Sequence, residues 1–91
     1  MGMVTQAGTP INLTASGIVS KAACGLIGIC VNSTSSGTIV IYNGQSASGT
    51  AISGTITPSA GFLAFPAYCP DGCYIAVIGG SINLTAFVQA S

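Results

Sequence analysis

The chain has 91 residues, of which only Lys21 and Asp71 are charged; its net charge is zero, it has no histidine, and 49% of it is hydrophobic. One lysine does not make the basic cluster that a phosphate backbone or an anionic lipid surface needs, so neither nucleic acid nor a membrane is an expected partner. Ordinary domains carry about a quarter charged residues, and soluble monomers keep their net charge away from zero to avoid association. A chain that does neither is expected to bury outer surface against other chains.

The length fits one domain with a small core. Residues 1–9 read as an N-terminal arm, and 10–91 as a single β domain. Met1–Gly8 shows neither the basic region nor the apolar run of a secretory signal. The longest apolar stretch, Gly17–Val31, is interrupted by Lys21 and falls short of the roughly twenty residues of a membrane helix.

After Pro10, Ile11, Leu13 and Ala15 alternate with Asn12, Thr14 and Ser16, the pattern of a half-buried strand. Gly17 breaks it, and Ile18–Ala23 reads as a second strand. The densest apolar segment follows, as strands over 26–32 and 38–42 joined by an Asn-Ser-Thr-Ser-Ser-Gly turn. There Ile27, Ile29 and Val31 share one face, opposite Leu26, Gly28 and Cys30, and Ile39 and Ile41 share a face of the second strand. Apolar residues on both faces suggest a strand covered on both sides. One face is expected in the core and the other near a subunit contact, making Ile27, Ile29, Val31, Ile39 and Ile41 a candidate assembly strand.

Asn43-Gly44 is a turn signal, and Gln45–Thr50 is a polar loop. Strands are expected over Ala51–Thr57, with a bulge at Gly54, over Phe62–Phe65, over Tyr74–Ile78 and over Ser81–Val88. Pro58, Ser59–Gly61, the Pro70-Asp71-Gly72 turn and Gly79-Gly80 separate them. No segment keeps a helical period. Seven or eight short strands at regular spacing predict an all-β, antiparallel sandwich or barrel without helices. Ile11–Ala15 recurs as Ile82–Ala86, both Ile-Asn-Leu-Thr-Ala. One repeated pentapeptide is no repeat family, though two terminal strands of like sequence suit mutual pairing.

The reactive side chains are Cys24, Cys30, Cys69 and Cys73. A four-cysteine zinc site is disfavoured, because Cys24 and Cys30 lie too far apart on a strand to chelate together, and no histidine is present to help. Neither a metal nor another cofactor is expected. Disulfides fit better, with three connectivities open. Cys69 and Cys73 flank a tight turn and can approach each other, whereas Cys24 and Cys30 stand roughly 20 Å apart on an extended strand. Links between neighbouring chains are a further option, and four reduced, buried thiols are the alternative to all of these.

Catalysis is not expected. There is no histidine base, and a single carboxylate and a single amine cannot form an acid–base pair. Asp71 suits an Asx turn. The sequons at Asn12, Asn32 and Asn83 would matter only in a eukaryotic secreted protein. Tyr42, Tyr68 and Tyr74 are the candidates for an aromatic binding surface, although tyrosines on half-buried strands usually pack in cores or interfaces.

Ser16-Gly-Ile-Val-Ser-Lys21, Gly25-Leu-Ile-Gly-Ile-Cys-Val-Asn32, Ser36-Gly-Thr-Ile-Val-Ile-Tyr-Asn-Gly44, Gly49-Thr50 and Ile52-Ser-Gly-Thr-Ile-Thr57 follow in order, then Phe65-Pro66, Gly72-Cys-Tyr74 and Ile78-Gly-Gly80. This pattern of turn glycines and strands resembles small β-sandwich virion proteins of tailed bacteriophages. The resemblance implies a structural protein made in the host bacterial cytoplasm and carried on the outer surface of the virion. Its expected partners are its own copies, as a homotrimer or other ring, and other virion proteins such as the major capsid protein. A head decoration (cement) protein is the first expectation, and a neck or fibre module binding a receptor or glycan the second. The four cysteines depart from the family pattern. An exported surface-film protein is a third alternative that the low charge permits.

Overall fold

The computed structural model describes residues 9–90, and all of its regular structure is β. The strands are β1 (Thr9–Leu13), β2 (Gly17–Ser20), β3 (Cys24–Asn43), β4 (Thr50–Ala51), β5 (Gly61–Cys69) and β6 (Cys73–Ala90). They form one antiparallel six-stranded sheet that does not close on itself. The arm expected over residues 1–9 lies outside the described residues, apart from Thr9, which opens β1.

Two long strands make the frame. β3 and β6 pair along their whole length, from Cys24↔Ala90 to Asn43↔Cys73. On its other edge β3 carries β5 along Cys24–Val31 and β4 at Tyr42–Asn43. β6 carries β2 at Cys73–Ile75 and β1 at Leu84–Val88. The two copies of Ile-Asn-Leu-Thr-Ala meet here, with Leu13 opposite Leu84 and Ile11 opposite Ala86.

The expected seven or eight short strands become six, because two expected turns are bends within continuous strands. Residues 26–32 and 38–42 are not a hairpin but parts of β3, and Tyr74–Ile78 and Ser81–Val88 are both parts of β6. The turn chemistry is present, since Thr34 Oγ1 accepts the Gly37 N–H at 3.1 Å, Ser36 has φ 55° and Gly80 has φ 60°. Ser36 and Gly80 lie almost opposite each other, so both chains deform together and the ladder survives through three register shifts between Val31 and Ile39. Twenty residues at the usual rise would extend about 63 Å, yet the longest dimension is 42 Å, so β3 must bend.

Gly80 is fixed by this geometry. A Cβ there would run into the Ser36 carbonyl, and φ +60° is a conformation that L-residues adopt at a cost. Gly80→Ala is expected to lower stability by about 2 kcal/mol or more. Gly54→Ala, with open space around the new methyl, serves as the control. Urea unfolding midpoints compare the two.

The strand expected over Ala51–Thr57 is largely irregular. Ile52 donates to the Ile41 carbonyl at 2.8 Å, and Ile56 exchanges hydrogen bonds with Ile39 at 2.8 and 2.9 Å. Between them the Ser53 hydroxyl, not a backbone carbonyl, accepts the Ile41 N–H at 2.9 Å. The chain bulges at Ser53–Gly54 and rejoins β3 at Ile56. The strand expected at Phe62–Phe65 instead extends from Gly61 to Cys69, continuing through Pro66.

A single core cluster takes side chains from both ends of the long strands: Leu26, Ile29 and Val31 with Ile39 and Ile41 from β3, and Ile75 with Ile82, Leu84 and Ala86 from β6. No polar side chain is buried among the described residues.

Candidate functional site

Three of the four cysteines come together. Cys24 and Cys69 are direct partners across β3 and β5. Cys69 leads through Pro70-Asp71-Gly72 to Cys73, a turn in which the Gly72 N–H reaches back to the Cys69 carbonyl at 3.4 Å. All three are fully buried and belong to the core cluster. Cys69 lies within hydrogen-bonding reach of both neighbours, and Cys73 feels both of the others electrostatically. Burial pushes both the Cys69 and the Cys73 thiols up; Cys24 adds to the rise at Cys69 while the hydrogen bond with Cys73 works against it, and at Cys73 both other sulfurs add to it. Cys30 stands apart and half-buried, its Sγ 3.8 Å from Asn32 Oδ1. All four are free thiols in the structure. Among the described residues no group of three or more His, Cys, Asp or Glu side chains is arranged to hold a metal ion. A thiol with no exposed surface cannot reach another chain, so of the four only Cys30 could form an interchain link.

The candidate assembly strand is used differently from the expectation. Ile29, Val31, Ile39 and Ile41 are at most 2% exposed and fill the protein's own core. A bulge between Leu26 and Gly28 shifts the alternation, so Leu26 joins the core with Ile29 and Val31, while Ile27 is only half-buried. The face-sharing expected for Ile27, Ile29 and Val31 fails for that reason.

The apolar surface that remains open lies on β5. Leu63, Phe65 and Ala67 turn inward, and Phe62, Ala64, Pro66 and Tyr68 point outward. Phe62 and Tyr68 are 60% and 62% exposed. Gly25 and Gly28 of β3 lie opposite Tyr68 and Ala64, so no side chain rises beside them, and a groove of about 600 Å³ runs between Phe62 and Tyr68 over Gly25 and Ile27. Phe62 leans over Gly28, where a Cβ would collide with its ring, and packs at 6.3 Å, tilted, against Phe87. The sequence signal was available: β5 alternates, but both of its faces are apolar. At the other end of the sheet Tyr42 and Tyr74 pack at 6.3 Å, half-buried, Val40 and Ala76 are buried opposite each other outside the core cluster, and Ile78 is 55% exposed.

The polar outer surface is a ladder of amides. Asn83 Oδ1 accepts from Asn12 Nδ2 at 2.9 Å and from Asn32 Nδ2 at 3.1 Å, and Asn32 Nδ2 also donates to Thr85 Oγ1 at 3.1 Å. The three sequon asparagines therefore bond to one another across β1, β6 and β3. Both charges sit at one end, in neighbouring turns. Asp71 accepts from Asn43 Nδ2 at 3.2 Å and donates its N–H to Asn43 Oδ1 at 2.9 Å, while the Lys21 carbonyl accepts from Gln45 Nε2 at 3.0 Å. The faces and edges of the sheet thus carry no charge.

No protein-family model, no curated protein and no solved structure matches the chain. Among the described residues no helix is long and apolar enough to cross a membrane.

Proposed function

We propose that this protein is a non-enzymatic structural subunit that assembles with its own copies through the uncharged outer surface of its sheet. In this reading the bent sheet folds over its core as a two-layered sandwich, since one core cluster draws on both ends of β3 and β6. The observation that carries the proposal is the open stripe of Phe62, Ala64, Pro66 and Tyr68 on an edge strand without a charged residue. Monomers guard such edges with charges, and large exposed apolar patches mark interaction sites. Pro66 is the only edge guard that β5 carries. Among assembling subunits, the resemblance to small bacteriophage virion proteins favours a head decoration (cement) protein that joins copies in a trimer or other ring on the major capsid protein. A glycan-binding fibre module is less favoured, because the groove beside Tyr68 is mainly apolar, with Gln89 and Tyr68 its only polar side chains.

The purified protein is expected to run as a discrete oligomer in light scattering. Ala64→Glu, which puts a charge in the middle of the stripe at an exposed position, is expected to shift it to monomer without changing its thermal midpoint by more than a few degrees. Wild-type protein that is monomeric at all concentrations would refute assembly. Absence of the chain from the proteins of purified particles would refute the virion role alone.

A further inference from the structure

We propose that Cys24, Cys69 and Cys73 form a single-disulfide redox site centred on Cys69, in which a disulfide oxidant installs one internal bond, Cys24–Cys69, and leaves Cys73 as a resident thiol beside it. Direct cross-strand partners have their Cα atoms about 4.5–5.5 Å apart, within the range that a disulfide spans, and both side chains face the same core. Cys69 is the hub because it is the sulfur within reach of both others. Three thiols can form only one bond among themselves, so one must remain reduced. That bond would tie edge strand β5 to the central strand β3 and close about 45 residues of chain, a much longer loop than Cys69–Cys73 would close.

The chemistry balances with a low-molecular-weight disulfide such as glutathione disulfide as oxidant. One protein thiolate attacks it, its S–S bond breaks, and one glutathione thiolate leaves and is protonated. The second protein thiolate then attacks the mixed disulfide, forming Cys24–Cys69 and releasing the second glutathione. Two thiols give up two electrons and two protons to one glutathione disulfide. Exchange by Cys73 onto Cys69 would release Cys24 with no net oxidation. β5 pairs with β3 alone among the described strands, so peeling this edge exposes Cys24 and Cys69 to the oxidant. In a reducing cytoplasm the site stays as three thiols, and it closes only where disulfide oxidants prevail. The sulfurs are internal and form no part of the assembly surface, although the oxidant reaches them past the same edge strand β5.

The test uses the full chain refolded in a glutathione redox buffer, quenched with acid and alkylated. Counting thiols in denaturant is expected to give a fall from four to two, with the chain still a single-length band on a non-reducing gel. Cleavage after Lys21 and before Asp71 then separates Cys69 from Cys73, because Asp71 is the only aspartate and lies between them. Cys24–Cys69 predicts that fragments 22–70 and 71–91 come apart without reductant. The oxidised protein should also melt more than about 10 °C above the reduced one. Cys69→Ser is expected to keep all three of its thiols, and Cys30→Ser, outside the cluster, is expected to lose two and keep one. Four retained thiols, fragments joined until reduced, interchain dimers that persist in Cys30→Ser, or loss of two thiols from Cys69→Ser would each overturn the proposal.

Discussion

Leu84→Ala is expected to remove about 3 kcal/mol of stability, within the 2–5 kcal/mol range of buried leucine truncations. Leu84 is fully buried on β6, with Leu13 of β1 on one side and Val31 of β3 on the other. Neighbours fixed in three hydrogen-bonded strands cannot collapse into the space that the leucine leaves, so the cavity term adds to the lost transfer energy. Domains of this size have marginal stability, roughly 5–15 kcal/mol in all. A loss of about 3 kcal/mol raises the unfolded fraction on the order of a hundredfold. Ile78→Ala, at a side chain 55% exposed, is expected to cost less than about 1 kcal/mol. Urea midpoints measured at equal m-value compare the two. A Leu84→Ala midpoint no lower than that of Ile78→Ala would show that the core is not centred where β1, β6 and β3 meet.

The sequence revealed the class of this fold and most of its strand positions, but not its continuity. Alternation in Ile11–Leu13 and the apolar runs around Ile29 and Ile41 marked true strands, because side-chain period and burial are local properties. Thr34 with Gly37, and Gly79 with Gly80, carried real turn chemistry too. Whether such residues reverse a chain or only kink it depends on what lies opposite. Here each kink faces the other across the β3–β6 ladder, and that pairing is non-local. The same limit explains Ile27. Its face followed from strict alternation until the bulge before Gly28, the glycine that the Phe62 ring covers from the neighbouring strand.

The thiol cluster was partly legible. Cys69 and Cys73 around Pro-Asp-Gly were expected to approach each other, and they do. Cys24 was expected to stand too far from Cys30 on an extended strand to meet it, with its partner left open; its neighbour is Cys69, 45 residues on, through strand pairing that no local pattern encodes. The reverse holds for assembly. The near-absence of charge was read as pointing to a contact surface, and the most apolar strand was the expected place for it, but its most apolar residues fill the core. The open surface is on β5, where a second, weaker set of apolar residues is left over.

Above pH 9 the reduced protein is expected to become progressively less stable, with Cys73 responsible for a separable part of the loss. Burial raises this thiol far above its ordinary 9.0, and the adjacent Cys69 and Cys24 sulfurs raise it further. In the unfolded chain Cys73 releases its proton above pH 9, while the folded protein still holds it. The unfolded state then binds fewer protons, so stability falls with rising pH, by about 1.4 kcal/mol per pH unit for one thiol. This contribution is fully present below pH 9 and is lost only upward. Urea unfolding from pH 7 to pH 11 in the presence of reductant measures the slope. Cys73→Ala should flatten it by about that amount per unit, whatever its effect on stability at neutral pH. Equal slopes for the two proteins would show that Cys73 is not held protonated by the fold. The same burial governs oxidation, since a thiol kept protonated inside the core is a poor nucleophile. Reaction with an oxidant then requires the strand to open, and closing the disulfide afterwards makes that opening rarer.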